Sequence, residues 1–204
     1  MDTILVTGGC GFIGSHVVLG LIKRRYNVII LDSNINSSKL VIEHLNNVSR
    51  INSYEGNISF IKGDIRDEVL LEKIFCENLL KDSAINAVIH LAGLKSVKKS
   101  FDNKNEYWDV NVKGSISLLN TMIKYGCFKL VFSSSATVYG NPISIPIFED
   151  FETKPINPYG QSKLKVENII KDLFANNNTK LKVVILRYFN PIGAHNSGMI
   201  GENY

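Results

Sequence analysis

The β-branched run Thr3–Thr7 passes without a break into Gly8-Gly9-Cys10-Gly11-Phe12-Ile13-Gly14. A helical pattern, Phe12–Arg25, then places Ile13, Val17, Val18, Leu21 and Ile22 roughly along one face. Strand, tight turn and helix in that order point to a parallel βαβ unit. Glycines let the backbone turn sharply and approach a pyrophosphate. The unpaired N–H groups and the dipole of the helix start hold its negative charge, and a glycine at Gly14 lets helix and sheet pack closely. Glycines alone say little. In register with a strand before and a helix after, they read as a dinucleotide-binding loop.

The rest of the chain keeps that rhythm. Val28–Leu31, Ile58–Ile61, Ala87–Leu91, Leu130–Ser133 and Lys182–Leu186 read as strands. Ser38–Arg50, a helix capped by Asp67 and running to Leu80, Asn103–Tyr125 and Pro158–Phe174 read as helices. The fold class is α/β, a doubly wound parallel Rossmann sheet with helices on both faces. Residues 1–190 read as one dinucleotide-binding domain, and residues 191–204, rich in Gly and Asn, have no periodicity. Tyr139–Asn157, with Pro142, Pro146 and Pro155, is a long loop, and Asn176–Asn178 reads as a helix end.

Composition excludes several classes. With 204 residues, 45% hydrophobic, the chain builds a core without disulfide or metal staples. A net charge of +4, scattered apart from Lys95, Lys98 and Lys99, is too thin for a nucleic-acid stripe. No apolar stretch is long enough for a membrane span. The start has no basic region of a signal peptide, and Cys10, Cys76 and Cys127 have no metal-ligand spacing, so a reducing cytoplasm and no metal are expected. On that reading the N-x-S/T sites at Asn36, Asn47, Asn57 and Asn177 are chance.

Asp32 ends the second strand eighteen residues after Gly14, where an acidic side chain accepts hydrogen bonds from the adenosine ribose. It repels a 2′-phosphate, and Ser33, Asn34 and Ile35 bring no Arg to offset it, so the cofactor is NAD rather than NADP. Asp64, after the third strand, either approaches the adenine or caps the helix starting at Asp67. Tyr159 and Lys163 are four apart and share a helix face. An ammonium there should lower the phenol pKa and make Tyr159 a general base. Ser133-Ser134-Ser135-Ala136-Thr137 closes the fifth strand, where a hydroxyl can bridge the phenol and a substrate oxygen. His90 reads as a packed residue near the cofactor and Cys10 as a small filler. Tyr107 and Trp108 read as core or interface.

Longer strings narrow the reading. Val6–His16, Ile29–Asn34, Gly63–Arg66, Val88–Val97, Asn111–Gly114, Phe132–Gly140, Pro158–Leu164 and Leu186–His195 together resemble the extended short-chain dehydrogenase/reductases, and within them the UDP-hexose 4-epimerases. The resemblance implies that Gly8, Gly11, Phe12, Ile13 and Gly14 wrap the NAD pyrophosphate. It implies that Asp32, Asn34, Asn36 and Ser37 hold the adenosine ribose and that Asp64 and Ile65 flank the adenine. Leu91, Ala92, Gly93, Lys95, Asn111, Ser133, Tyr188 and Phe189 would complete the cofactor site. Ser135, Tyr159 and Lys163 would be catalytic, and Tyr159 and Lys163 would also touch the cofactor. Lys95, Ser135, Tyr159, Tyr188 and Asn190 would meet the UDP-hexose. The implied activity interconverts UDP-glucose and UDP-galactose through a 4-keto sugar, in a longer, homodimeric protein. Rival readings are a UDP-glucuronate epimerase or decarboxylase, or a cofactor-binding module without catalysis. Two departures stand out: Val110 precedes Asn111, where epimerases often have a second polar residue. Thr137 is followed by Val138 and Tyr139, where dehydratases have an acidic pair.

Overall fold

The computed structural model describes residues 1–175 and 180–202. The Asn176–Asn178 run and the last two residues lie outside the described residues. Six strands form one parallel sheet: β1 (Thr3–Thr7), β2 (Asn27–Asp32), β3 (Ile58–Lys62), β4 (Ile85–His90), β5 (Lys129–Ser135) and β6 (Lys182–Tyr188). Their order is β3-β2-β1-β4-β5-β6. The chain winds outward from β1 through β2 to β3, then returns to β1's other side and winds outward again from β4. The reversal opens a crevice at the carboxyl ends of β1 and β4, the place where such sheets take ligands.

Both faces are covered, so β1 is buried along its whole length. Ile4, Val6, Val28 and Ile30 pack with Val18, Leu19 and Ile22 of helix α1 (Phe12–Ile22) and with Leu45 and Val48 of α2 (Leu40–Ile51). On the other face Leu5, Leu31, Val88 and Phe132 pack with Leu71 and Phe75 of α3 (Glu68–Leu80). Each such side chain, fully buried, contributes ~1.5–3 kcal/mol against exposure.

Local chemistry sets the element ends. Helix α1 stops at Ile22 rather than Arg25, whose φ of +64° turns the chain out of the helix. Asp67 caps α3 by accepting from the Leu70 N–H at 2.9 Å. The helix expected over Asn103–Tyr125 runs continuously from Lys104 to Lys124 but contains a π-helical segment. Helix α4 (Val97–Asp102) precedes a bend at Asn103, and α5 (Lys104–Tyr107) runs into a π-helical segment, Trp108–Lys113, before α6 (Gly114–Lys124). Apolar periodicity does not report the wider π turn. Strands β5 and β6 run further than their β-branched cores suggest. Ser134 pairs with Arg187 and Ser135 with Tyr188, so ladder pairing overrides the weak strand preference of serine. Helix α7 (Pro158–Ala175) starts with proline at its first position, where the missing N–H costs nothing.

Candidate active site

The crevice is a cleft of about 790 Å³. Its floor is the glycine turn. Gly8 has φ +71°, and a Cβ there would lie 2.6 Å from the Ala92 nitrogen, so β1 and β4 end in mutual contact. At Gly14 a Cβ would lie 2.2 Å from the Gly8 carbonyl oxygen, which only glycine avoids. Gly11 precedes α1, and the first-turn N–H groups of Phe12, Ile13 and Gly14 have no intrahelical acceptor. Gly8, Gly11, Phe12, Ile13 and Gly14 all line the cleft.

Asp32 is buried and organises the next wall. One carboxylate oxygen accepts from the Cys10 N–H at 2.9 Å, tying β2 to the glycine turn. The other accepts from the Asn34 N–H at 2.9 Å and the Ser37 hydroxyl at 3.0 Å. Asp32, Asn36 and Ser37 line the cleft, and Asn34 braces them by donating to Ser37 at 2.9 Å. Burial pushes the Cys10 thiol up to about 12, with the Asp32 charge adding to the rise. The thiol therefore stays protonated and fills space.

The structure separates the two alternatives for Asp64. The α3 cap belongs to Asp67, whereas Asp64 accepts from Arg66 Nε at 3.0 Å and a terminal guanidinium nitrogen at 2.7 Å. The Arg66 hydrogen bonds outweigh burial and lower the Asp64 pKa. Arg66 also reaches Asp109 at 2.8 Å, joining this corner to the π segment. Asp64 and Ile65 line the cleft beside Asp32.

Leu91, Ala92, Gly93 and Lys95 form the wall after β4. Buried Asn111 clamps it from behind: its side-chain oxygen accepts from the Leu94 N–H at 2.8 Å. Its amide donates to the Leu94 carbonyl at 3.1 Å and to the Ser162 hydroxyl at 3.0 Å. The π segment thus turns Asn111 toward β4 and α7, while Val110, its neighbour, lines the cleft. His90 is buried between the Thr7 hydroxyl at 2.7 Å and the Ser115 hydroxyl at 2.9 Å. Burial, with the Lys163 charge second, lowers its pKa to about 3, so it is a neutral packed residue.

Helix α7 brings Tyr159 and Lys163 to the ends of β5 and β6. Ser133, Ser135, Tyr159, Lys163, Tyr188, Phe189 and Asn190 all line the cleft. Ser135 Oγ accepts from the Thr137 hydroxyl at 2.9 Å and from the Thr137 N–H at 3.2 Å, which leaves its own proton for the phenol oxygen of Tyr159. Burial raises the Tyr159 pKa, and the hydrogen bond with Ser135 opposes that rise. This corrects the expectation that Lys163 lowers it. The ammonium donates to the Ser133 carbonyl at 2.8 Å and stands 6.0 Å from the Tyr159 ring centroid. Tyr107 is buried with its ring edge-on to Tyr159, 6.4 Å between centroids, and donates to the Ser96 carbonyl at 2.7 Å. Trp108 is 43% exposed. Lys95 pairs with Glu202 at 2.9 Å.

Sequence reasoning missed Glu167, and it named Thr137 only as part of the serine-rich string without its contact to Ser135. Glu167 carried a signal, because it follows Tyr159 and Lys163 at the same four-residue spacing on a buried face. Among the described residues no cluster of His, Cys, Asp and Glu could hold a metal ion, and no helix is long and apolar enough to cross a membrane.

A family model described as GDP-mannose 4,6 dehydratase matches residues 5–204. The sequence is 48% identical over 204 residues to the UDP-glucose 4-epimerase of Neisseria meningitidis serogroup C, covering 99% of this chain and 57% of that protein. It is 46% identical over 200 residues to a bifunctional UDP-glucose 4-epimerase and UDP-xylose 4-epimerase of Pisum sativum, covering 98% of this chain and 55% of that protein. The fold matches a UDP-glucose 4-epimerase of Bifidobacterium longum solved with NAD⁺ and UDP, with a TM-score of 0.91, 42% identity, and 99% and 57% of the two chains covered. The corresponding enzyme of Stenotrophomonas maltophila, solved with NAD and formylated UDP-arabinopyranose, matches with a TM-score of 0.89, 43% identity, and 100% and 57% covered. The chain spans about half the length of the relatives it matches.

Proposed function

Because this chain belongs to the GDP-mannose 4,6 dehydratase family, and its cleft joins a pyrophosphate loop to a Ser-Tyr-Lys cluster, we propose that it carries the NAD site and reacting groups of a UDP-glucose 4-epimerase. Residues 1–190 form the cofactor domain, and residues 191–204 begin the substrate lobe. The observation that carries the reading is that Ser135, Tyr159 and Lys163 line the same cleft as Asp32 and the Gly8–Gly14 turn.

The residues fit NAD by their chemistry. The first-turn N–H groups of α1 would hold a diphosphate, Asp32 would accept from a ribose diol, and Tyr188 and Phe189 would wall the nicotinamide end. Bound NAD supplies the acceptor and donor of a hydride. Tyr159 would take the proton of the substrate's 4-hydroxyl as that carbon is oxidised, and give it back to the 4-keto oxygen as carbon 4 is reduced from its opposite face. Ser135, polarised by Thr137, donates to the oxygen that carries charge. Lys163 holds the wall at Ser133 and orients the ribose. Lys95 and Asn190 meet the sugar nucleotide.

Epimerisation is favoured over dehydration by the turn after β5. Thr137 is followed by buried Val138 and Tyr139, so no acidic pair follows it into the cleft. The free state of Cys10, Cys76 and Cys127 supports a cytoplasmic setting. Exposed Trp108 supports a homodimer interface. The test is conversion of UDP-galactose to UDP-glucose, with UDP-glucuronate and UDP-N-acetylhexosamines as rivals. Wild type should turn over UDP-galactose, and Tyr159→Phe should lose at least ~100-fold in kcat while still binding NAD. Normal turnover by Tyr159→Phe, or turnover of UDP-glucuronate alone, overturns the reading.

A further inference from the structure

We propose that Glu167 and Arg187 are a buried positioning pair that sets the height of Tyr159 against Ser135. Glu167 lies two turns beyond Tyr159 and one beyond Lys163, and it is 0% exposed. Its carboxylate takes a two-pronged contact from Arg187, with Nε at 3.0 Å and a terminal nitrogen at 2.8 Å, and accepts from the Ser134 hydroxyl. The other Arg187 terminal nitrogen donates to the Tyr139 hydroxyl at 2.8 Å and the Glu149 carbonyl at 3.0 Å. The exposed ammonium of Lys171 stands further off, at 3.7 Å.

Ser134 and Arg187 are partners across β5 and β6, and the next pair along the ladder is Ser135 and Tyr188. One carboxylate therefore fixes α7 to the two strands whose ends carry the bridging hydroxyl and the cleft wall. The same guanidinium ties down the loop after β5. A buried ion pair is a poor device for stability alone, since apolar residues of similar volume often serve as well or better. A two-pronged pair does fix rotation and height, which apolar packing at this point does less well. Displacing a reacting group by ~1 Å can cost ~100-fold in rate.

The proposal rests on reading Tyr159 as the acid–base, so its test includes a measurement that needs no turnover. Tyrosine labelled with ¹³C at Cζ reports the Tyr159 titration, assigned by loss of its signal in Tyr159→Phe. The variants are Glu167→Met with Arg187→Met, which removes both charges together, and Arg187→Lys, which keeps the charge but not the fork. Arg187→Lys decides the matter if the double variant does not fold. Tyr159 should titrate at higher pH than in wild type, because its hydrogen bond with Ser135 is loosened. kcat should fall ~10–100-fold with KM within ~3-fold. A folded variant with wild-type Tyr159 titration overturns the proposal whether or not the protein epimerises. A shifted Tyr159 titration in the variants, found together with a wild type that turns over no UDP-hexose, supports the positioning pair and overturns only the activity.

Discussion

Lys163 stands one helical turn from Tyr159, yet its ammonium points past the phenol to the Ser133 carbonyl at 2.8 Å. Burial lowers its pKa to about 8. Between about pH 8 and 10.5 the folded chain holds fewer protons at Lys163 than the unfolded chain, so stability rises with pH across that window. Below about pH 8 the cost of burying the charge is fully present. Lys163→Met should remove this rise, seen as a smaller gain in urea midpoint between pH 8 and 10 than wild type shows.

His90 gives the opposite end of the pH range. Its pKa, lowered to about 3 from 6.5, means the unfolded chain binds the proton first as pH falls. Its contribution is intact above pH 6.5 and is lost progressively from pH 6.5 toward about 3. His90→Gln should flatten that part of the stability curve, whatever it does to the stability at neutral pH. Denaturant titrations at pH 7, 5.5 and 4 measure the slope.

Gly14→Ala tests the turn. Its Cβ would lie 2.2 Å from the Gly8 oxygen and 2.7 Å from the Gly9 Cα, both backbone atoms that cannot swing aside. Moving them should cost ~1–3 kcal/mol in stability and spoil the pyrophosphate cradle. Calorimetry should find NAD affinity reduced at least ~10-fold, far more than for Gly20→Ala in the same helix, where an added Cβ meets only the Arg24 guanidinium at 3.7 Å.

Asp32→Ala removes the acceptor for Cys10, Asn34 and Ser37, and with it the carboxylate proposed to hold the ribose. Charge-assisted bonds of this kind are worth ~1.5–3 kcal/mol each. NAD binding should weaken by more than ~10-fold and the preference for NAD over NADP should shrink, read as the ratio of the two dissociation constants.

The sheet, the glycine turn and the Tyr159–Lys163 face were legible because each has a period or a spacing. Strand and helix ends were less so: β5 extends through three serines because β6 pairs with them, which composition does not announce. The π turn at Trp108–Lys113 and the clamp by Asn111 on Leu94 were not legible, since they depend on contacts between segments far apart in sequence. The charge logic at Tyr159 leaves out burial, which spacing does not report. Spacing places Lys163 on the right face, but only the structure shows its ammonium engaged by Ser133 and the phenol dominated by burial. Glu167 and Arg187 become a pair only when α7 and β6 bring them together, twenty residues apart in sequence.

The most direct test follows the hydrogen at carbon 4. Protein made from the natural reading frame, loaded with NAD, is given UDP-galactose deuterated at that carbon in ordinary water. The account predicts UDP-glucose that retains the deuterium at carbon 4, with no net consumption of NAD and at least ~100-fold less product from Tyr159→Phe. Product that has lost the deuterium to solvent, or bound NAD with no conversion of the sugar nucleotide, would contradict it.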